Sequence, residues 1–263
     1  MDLKIDNKIA FVSGSTKGIG HAIAVALARE EARVIINGRS QSSVDDALGK
    51  LKELVPDARA EGFAGDMSDA AAGDELVKRY SHVDILVNNM GIFDPKPFED
   101  IPDDEWQRFF NVNVMSGVRL SRAYLPKMKE KNWGRVVFIS SESGIQIPVE
   151  MIHYGMTKTA QLALSRGLAE TCAGTGVTVN AVLPGPTSSE GMTEFVDKLS
   201  GGKSFDEFRK QFFEEARPSS ILKRFITPEE IANMVVYVCS ELSSATSGAA
   251  LRARMAAWYR AAF

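Results

Sequence analysis

The sequence contains few cysteines and histidines, and its positive and negative charges nearly cancel. Two cysteines, Cys172 and Cys239, cannot build a disulfide framework in a chain of 263 residues, and with three histidines they make a poor zinc site. The 31 basic and 34 acidic residues form no basic block, which disfavours nucleic acid as a partner. No apolar stretch approaches the roughly 20 residues of a membrane span, and the polar start does not resemble a signal peptide. We therefore expect a cytoplasmic protein that binds no nucleic acid, no membrane and no metal.

Short β-branched segments alternate with longer segments of helical period. The short segments are apolar without strict alternation, which is typical of strands covered on both faces. They cover residues 9–12, 33–36, 83–87, 135–139 and 177–182, and helical periodicity covers residues 19–31, 42–55, 103–131 and 154–173. Strand and helix in alternation predict an α/β fold with a doubly wound parallel sheet. No linker or repeat interrupts the chain, so we expect one domain over residues 1–263.

A glycine-rich turn follows the first predicted strand and precedes the first predicted helix. It reads Ser13-Gly14-Ser15-Thr16-Lys17-Gly18-Ile19-Gly20. Glycines let the backbone turn tightly, and a helix N-terminus offers unpaired N–H groups to a pyrophosphate. The spacing differs from the usual G-x-G-x-x-G, so its placement carries the prediction of a dinucleotide site. A turn in which the glycines serve packing alone is the alternative.

The residues after the second strand favour NADP(H) over NAD(H). An NAD site places an acidic residue about 20 positions beyond the glycines, where this chain reads Asn37-Gly38-Arg39-Ser40. Arg39 suits a 2′-phosphate, and Lys17 in the turn adds a second positive charge on the same side. The alternative is that both are ordinary surface charges.

Tyr154 and Lys158 are four residues apart in a predicted helix, so they share one face. Ser141 follows the strand over residues 135–139, and such strand ends line the crevice where ligands bind. Reducing a carbonyl needs a hydride on carbon and a proton on oxygen. A nearby cation lowers the pKa of a phenol, and a serine can orient the carbonyl oxygen. A surface Tyr/Lys pair with an unrelated serine is the alternative.

Taken in order, these motifs resemble the short-chain dehydrogenase/reductase family in its compact single-domain form, over about residues 5 to 251. Four further places carry the resemblance: Asp66-Met67, Asn88-Asn89-Met90-Gly91, Asn113 in Asn111-Val112-Asn113-Val114, and Pro184-Gly185 with Thr187. The family implies a sheet of about seven parallel strands and hydride transfer between NADP(H) and an alcohol/carbonyl pair. It also implies a homodimer or homotetramer.

The resemblance assigns a role to each matching residue. Tyr154 is the acid/base, Lys158 also binds the nicotinamide ribose, and Asn113 holds a water that relays protons to Lys158. The implied catalytic residues are Asn113, Ser141, Tyr154 and Lys158. The implied cofactor-binding residues are Gly14, Ser15, Thr16, Lys17, Gly18, Ile19, Gly20, Arg39, Ser40, Asp66, Met67, Asn89, Gly91, Tyr154, Lys158, Pro184, Gly185 and Thr187.

Two residues near the implied site depart from the pattern or add to it. Met90 stands where the family prefers alanine beside the cofactor, and the longer side chain must find room there. His153, beside Tyr154, is interpreted as a packed or rim residue, with a substrate contact as the alternative.

The substrate is a small carbonyl or alcohol compound whose identity stays open. A hydrophobic ketone, a steroid, a sugar-derived carbonyl and a 3-oxoacyl thioester all fit the chemistry. Reductases that act on acyl-carrier proteins dock the carrier with arginines, and the nearest positions here are the uncharged Asn132 and Thr175. A protein that binds NADP without catalysis is a further alternative. An epimerase or dehydratase of the extended relatives would need a larger C-terminal domain.

Residues 187–220 form a Gly-, Ser- and charge-rich excursion that we interpret as a substrate lid. Its apolar residues suggest closure over a bulky, mostly apolar substrate. Two helices that pack their own faces are the alternative. The apolar set is Met192, Phe195, Leu199, Phe205, Phe208, Phe212 and Phe213.

Residues 253–263 form an atypical tail. The family closes its last strand with Asp-Gly-Gly, whereas residues 254–259 read Arg-Met-Ala-Ala-Trp-Tyr. The codons CGG-ATG-GCG-GCG-TGG-TAC would encode that stretch, and one nucleotide earlier they contain GAT-GGC-GGC-GTG-GTA for Asp-Gly-Gly-Val-Val. We therefore hypothesise a frameshifted tail, natural or from cloning. A genuine C-terminal helix anchored by Trp258 and Phe263 is the alternative.

Overall fold

Seven parallel strands form one sheet in the computed structural model, which describes residues 2–189, 205–218 and 220–253. The strands stand in the order β3-β2-β1-β4-β5-β6-β7. Their bounds are β1 Ile9–Val12, β2 Arg33–Gly38, β3 Ala60–Ala64, β4 Ile85–Asn88, β5 Gly134–Ile139, β6 Val177–Pro184 and β7 Ala250–Ala253. The prediction of a doubly wound parallel sheet is confirmed, and the fold is a single domain of the Rossmann type.

Helices connect the strands, and several begin at side chains that cap them. Ser40 accepts a hydrogen bond from the backbone N–H of Ser43 at the start of α2. At the start of α8, Thr227 and Glu230 form a reciprocal capping box, and Pro228 supplies the first helical residue. The helices are α1 Gly18–Arg29, α2 Gln41–Leu54, α3 Ala70–Arg79, α4 Asp103–Phe110, α5 Ser116–Glu130, α6 Ile152–Thr171, α7 Phe205–Gln211 and α8 Pro228–Cys239.

Both faces of the sheet are covered by apolar side chains. On one face, Ile23 of α1 and Val235 of α8 pack in one buried cluster with strand residues such as Val12. On the other face, Leu120 of α5 packs in a second cluster that includes Phe11. Phe11 and Val12 enter different clusters because successive strand side chains point to opposite faces. The unbroken apolar character of the strands follows from this double burial.

The order of the sheet reverses at β1, which pairs with β2 on one side and β4 on the other. Connections that leave β1 and β4 therefore separate, and a crevice forms at their carboxyl ends. The glycine-rich turn follows β1, Asn89 follows β4, and Ser141 lies two residues after β5. The fold thus gathers the predicted site residues at one edge of the sheet.

The sequence pattern does not indicate β3 or α3, and it merges two helices into one. In β3 only Phe63 is buried, so no apolar run marks this strand at the edge of the sheet. The helix predicted over residues 103–131 is divided into α4 and α5 by a π-helical turn, Asn111–Met115. This turn carries Asn113.

Parts of two predictions lie outside the described residues. Residues 190–204 of the predicted lid, with Met192, Phe195 and Leu199, belong there, as do residues 254–263 of the atypical tail. Ala253, where the predicted tail begins, is the last residue of β7. Within the described ranges, no helix has the length and apolar character needed to cross a membrane. Nor does any group of three or more histidines, cysteines and carboxylates there provide a place for a metal ion.

Candidate active site

The turn after β1 is shaped for close approach of a ligand to the backbone. Gly14 and Gly18 have φ angles of 59° and 58°, which glycine adopts without strain. A Cβ atom on Gly20 would lie 2.5 Å from both the Gly14 carbonyl oxygen and Asn89 Nδ2. That Nδ2 donates to the carbonyl oxygens of Ser13 and Gly14 at 3.0 and 2.9 Å. The turn is therefore tight, and it leads directly into the N-terminus of α1, where a phosphate would bind.

Ser15 holds this turn from inside. It is 0% exposed. Its Oγ donates to the carbonyl oxygen of Val12 at 2.7 Å and accepts from the backbone N–H of Asn37 at 2.9 Å. Asn37 in turn accepts a hydrogen bond from the Gly14 N–H at 3.0 Å. Ser15 thus fixes the backbone that a ligand would meet.

Lys17 and Arg39 are both exposed at the same end of the sheet. A Cβ atom on Gly38 would lie 2.4 Å from Thr16 Cγ2, so the end of β2 lies directly against the glycine-rich turn. Arg39 follows Gly38 and Lys17 follows Thr16, so both cations are one residue from this contact. Ser40, the next residue, uses its hydroxyl to cap α2.

Asp66 and Met67 follow β3 at the same edge of the sheet. Asp66 Oδ1 accepts hydrogen bonds from the backbone N–H and the hydroxyl of Ser68, at 2.9 and 2.7 Å. Met67 is buried among the second core cluster. Of the two, the partly exposed Asp66 is better placed to meet a ligand.

Met90 and Gly91 lie between the glycine-rich turn and the lysine of α6. A Cβ atom on Gly14 would come within 3.2 Å of Met90 Sδ, so the long side chain at this position finds room against a glycine. A Cβ atom on Gly91 would lie 3.2 Å from Lys158 Nζ. Glycine at position 91 therefore keeps the space in front of that ammonium group open.

Ser141 and Tyr154 both line the cleft at the mouth of the crevice. Ser141 Oγ accepts from the backbone N–H of Ser143 at 3.1 Å, which fixes its orientation. Lys158, one helical turn further along α6, has its Nζ 5.6 Å from the centroid of the Tyr154 ring. Phe93 packs edge-on against the same ring, with centroids 6.1 Å apart.

Burial dominates the ionisation of Tyr154 and Lys158. It raises the pKa of Tyr154 to about 12, although the side chain of Ser141 opposes the rise. It lowers the pKa of Lys158 to about 7. The sequence analysis predicts that a nearby cation lowers the pKa of this phenol. In the structure, desolvation raises the pKa of Tyr154 by more than the other groups lower it. Tyr154 is therefore a neutral phenol at neutral pH, which suits a proton donor.

Asn113 is buried beside α6, on the π-helical turn. Its side chain donates to the carbonyl oxygen of Ile92 at 3.0 Å and to Thr157 Oγ1 at 2.9 Å. The Nε2 of Gln161 donates to the Asn113 carbonyl oxygen, and Gln161 Oε1 accepts from Lys158 Nζ at 3.3 Å. Gln161 thus connects Asn113 with Lys158. The motifs did not indicate Gln161, although its place three residues after Lys158 puts it on the same helix face.

The loop after β6 is held against residue 226. Thr187 forms a β-bridge with Ile226, whose backbone N–H donates to the carbonyl oxygen of Pro186 at 2.9 Å. The Thr187 hydroxyl donates to the carbonyl oxygen of Gly185 at 2.8 Å. These contacts fix the wall of the crevice that begins at Pro184.

The strand ends enclose a cleft of about 260 Å³. Many of the predicted residues line it. On the side of the glycine-rich turn they are Lys17, Ile19, Gly20, Asn89 and Gly91. On the catalytic side they are Ser141, Tyr154, Lys158, Pro184, Gly185 and Thr187. Sequence reasoning missed Glu142 and Arg217, two charged side chains that also line the cleft.

The described part of the excursion over residues 187–220 has two roles. Phe208 and Phe213 are buried in a small cluster of their own with Phe225. Phe212 and Arg217 line the cleft. This segment therefore packs its own apolar faces and also contributes side chains to the site.

Comparison with known proteins identifies the family. A sequence profile described as short chain dehydrogenase matches residues 8–200. The chain is 51% identical over 255 residues to the uncharacterized oxidoreductase YvaG of Bacillus subtilis, with 96% of this chain and 97% of YvaG covered. It is 32% identical over 251 residues to the 3-oxoacyl-[acyl-carrier-protein] reductase FabG of Aquifex aeolicus, with 94% and 96% covered. The chain belongs to the short-chain dehydrogenase family and is an oxidoreductase.

A solved structure shows the same fold. The crystal structure of L-sorbose reductase from Gluconobacter frateurii, complexed with NADPH and L-sorbose, superposes with a TM-score of 0.88. The two chains are 28% identical, and the match covers 96% of this chain and 97% of the reductase.

Proposed function

We propose that this protein is an NADP(H)-dependent oxidoreductase that transfers a hydride between the nicotinamide and a carbonyl or secondary alcohol, with Tyr154 as acid/base. The observation that carries the proposal is the meeting of Ser141, Tyr154 and Lys158 beside the glycine-rich turn, in one cleft. Bound in that cleft, the nicotinamide supplies or accepts the hydride.

A dinucleotide fits this edge of the sheet because the glycine-rich turn leads into the N-terminus of α1, and because Gly91 places no side chain in front of Lys158 Nζ. Lys17 and Arg39 support NADP(H) through charge-assisted hydrogen bonds to a 2′-phosphate. The NADPH bound in L-sorbose reductase agrees with this preference. The other residues proposed to hold the cofactor are Gly14, Ser15, Thr16, Gly18, Ile19, Ser40, Asp66, Met67, Asn89, Pro184, Gly185 and Thr187.

Different side chains of the cleft transfer the proton and orient the substrate. Ser141 donates a hydrogen bond to the substrate oxygen and orients it next to Tyr154. In reduction, Tyr154 gives its phenolic proton to that oxygen. Lys158 holds the ribose and returns a proton to Tyr154, and a water held by Asn113 relays protons to Lys158. Gln161 accepts a hydrogen bond from Lys158 Nζ and so helps to keep it in place. In oxidation, the same proton moves in the opposite direction.

Two other functions also agree with part of the geometry of the cleft. A 3-oxoacyl thioester reductase would use the same chemistry, and similarity to FabG supports it. At the positions of the carrier-docking arginines, however, Asn132 and Thr175 have their side chains in hydrogen bonds to nearby backbone. A non-catalytic NADP-binding protein would not need the aligned Ser141, Tyr154 and Lys158.

We also propose that the described part of the excursion covers the substrate, because Phe212 lines the cleft. Phe212→Ala should raise KM for substrate while leaving NADPH affinity nearly unchanged. The matched control is Phe205→Ala, since Phe205 is exposed at the start of the same segment. Equal losses of substrate and cofactor binding in Phe212→Ala would contradict a covering role.

The function is tested with a panel of ketones, an acetoacetyl thioester and secondary alcohols, in which the absorbance of NADPH or NADH reports turnover. We expect turnover of at least one carbonyl compound, with NADPH preferred over NADH. Binding of NADPH without turnover of any compound would favour the non-catalytic alternative, and a preference for NADH would contradict the assignment of Arg39 and Lys17. Light scattering should give two or four times the chain mass of 28.7 kDa, for the proposed homodimer or homotetramer.

A further inference from the structure

A largely buried ion pair lines the same cleft as the reacting groups, and the proton-transfer scheme does not use it. Glu142 directly follows Ser141, and its side chain is 10% exposed. Arg217 follows the π-helical turn Phe212–Ala216, and its side chain is 17% exposed. Both line the cleft, and Arg217 Nε lies 3.0 Å from Glu142 Oε1.

Among the residues that the structure describes, the pair belongs to a cluster of one positive and two negative groups. Arg217 Nη1 also lies 3.5 Å from Glu150 Oε1, and the guanidinium stacks over the Phe212 ring at 5.4 Å. Because two carboxylates already face this guanidinium, an anionic substrate would have to compete with them for it.

An apolar substrate would also fit this end poorly. Charged groups pay a large desolvation cost when a ligand displaces water without replacing its hydrogen bonds. A substrate with hydroxyl groups avoids that cost, because it can donate to the carboxylate and accept from the guanidinium. The pair lines the same cleft as Tyr154. The charge of Glu142 raises the pKa of Tyr154, and that of Arg217 lowers it.

We propose that Glu142 and Arg217 are specificity-determining residues that select an uncharged carbonyl compound with hydroxyl groups next to the reacting carbon, as in a ketose. This inference rests on the proposed function, since it assigns the substrate of the same cleft. It differs from the expectation of a bulky, mostly apolar substrate drawn from the aromatic residues of the excursion.

The test compares three ketones of equal chain length with NADPH. Erythrulose carries hydroxyl groups and is too short to close a stable ring, 2-butanone lacks them, and acetoacetate carries a carboxylate. We expect kcat/KM for erythrulose to exceed that for each of the others by about 10- to 100-fold, the factor of one hydrogen bond to a charged group.

Variants show whether the ion pair causes the preference. Glu142→Gln and the double variant Glu142→Gln/Arg217→Met, which removes both charges of the pair, should each reduce the erythrulose/2-butanone ratio by about tenfold or more. The control is Glu214→Gln, which removes an exposed carboxylate from the same segment and should keep the ratio. The dissociation constant for NADPH, measured by fluorescence, should stay nearly constant and so reports intact folding.

Three results would overturn the inference. The first is a wild-type enzyme that reduces 2-butanone or acetoacetate as well as erythrulose, which would leave the proposed oxidoreductase function standing. The second is a preference for erythrulose that both variants retain. The third is failure to reduce any of the three ketones while NADPH binds, which would count against the proposed function as well.

Discussion

At the scale of single residues, the chemistry of the cleft depends on side chains whose neighbours fix their state. Ser141 is oriented by the Ser143 N–H, and Lys158 Nζ donates to the Ile139 carbonyl oxygen at 2.9 Å. The motifs indicate Ser141, Tyr154 and Lys158 because type and spacing are visible in a sequence. They do not indicate Gln161, because a single amide in a helix carries no pattern until its hydrogen bonds are seen.

Cofactor choice is predicted to depend on Arg39. Arg39→Asp should weaken NADPH binding by about 10- to 100-fold, because it replaces a charge-assisted hydrogen bond with repulsion. It should also improve the use of NADH, since a carboxylate there can accept from the ribose hydroxyls. Steady-state kinetics with both cofactors measure the change. Lys50→Asp, an exposed cation on α2, is the control, and an unchanged NADPH/NADH ratio in Arg39→Asp would refute the assignment.

The ion pair beside Tyr154 predicts pH shifts of opposite sign. Oxidation requires Tyr154 to accept a proton, so kcat/KM rises with pH through its pKa. Glu142 raises that pKa, so Glu142→Gln should move the rise to lower pH. Arg217 lowers it, so Arg217→Met should move the rise to higher pH. The measurement is NADP reduction by a secondary alcohol across the alkaline range. Shifts in the same direction would contradict the electrostatic role of the pair.

At the scale of elements, the glycine-rich turn, the β-strand ends and one π-helical turn bring the site together. Strand–helix alternation reveals most of these elements, because buried parallel strands carry continuous apolar runs. The pattern does not indicate β3, because a polar strand at the edge of the sheet carries no continuous apolar run. The sequence pattern also does not indicate the π-helical turn at Asn113, because the helical period continues through it. One extra residue in a turn does not change the local composition.

The tightness of the glycine-rich turn can be tested with two alanines. In Gly20→Ala the new Cβ would sit 2.5 Å from a backbone carbonyl oxygen, so the turn must move. Such overpacking costs about 1–3 kcal/mol, and we expect NADPH affinity to fall by roughly 5- to 100-fold. Gly49→Ala in α2 is the control, because a Cβ there meets nothing within 4 Å.

The control variant Gly49→Ala is expected to be more stable than the wild type. Gly49→Ala should raise the free energy of unfolding by about 0.5–1 kcal/mol, since alanine is the better helix former. Equal NADPH titrations for wild type and Gly20→Ala would show that the turn does not need a glycine there.

At the scale of the whole molecule, two packed faces make the sheet a rigid base for the cleft, and one buried histidine couples its stability to pH. His153 is 0% exposed and its ring centroid lies 4.0 Å from that of Phe109. Glu105 Oε1 lies 3.7 Å from its Nε2, and Lys96 pairs with the same glutamate. This arrangement agrees with the interpretation of His153 as a packed residue.

Burial lowers the pKa of His153, against the opposing charges of Glu105 and Asp94 and with the help of Lys96. The folded state then binds fewer protons than the unfolded state once the pH falls below about 6.5. Stability present at neutral pH should therefore be lost as the medium is acidified. Urea unfolding midpoints at neutral pH and about pH 5.5 should differ less in His153→Phe than in wild type. His82→Phe is the control, and an unchanged acid sensitivity in His153→Phe would contradict this account.

The most direct test of the central claim is single-turnover reduction by the Tyr154→Phe enzyme with saturating NADPH and a carbonyl compound that the wild type reduces. The substitution removes the phenolic hydroxyl and keeps the ring that packs against Phe93. We predict that NADPH binds with nearly unchanged affinity and that reduction falls by at least about 100-fold, because the proton donor is lost. Reduction at the wild-type rate would contradict the assignment of Tyr154 as the acid/base.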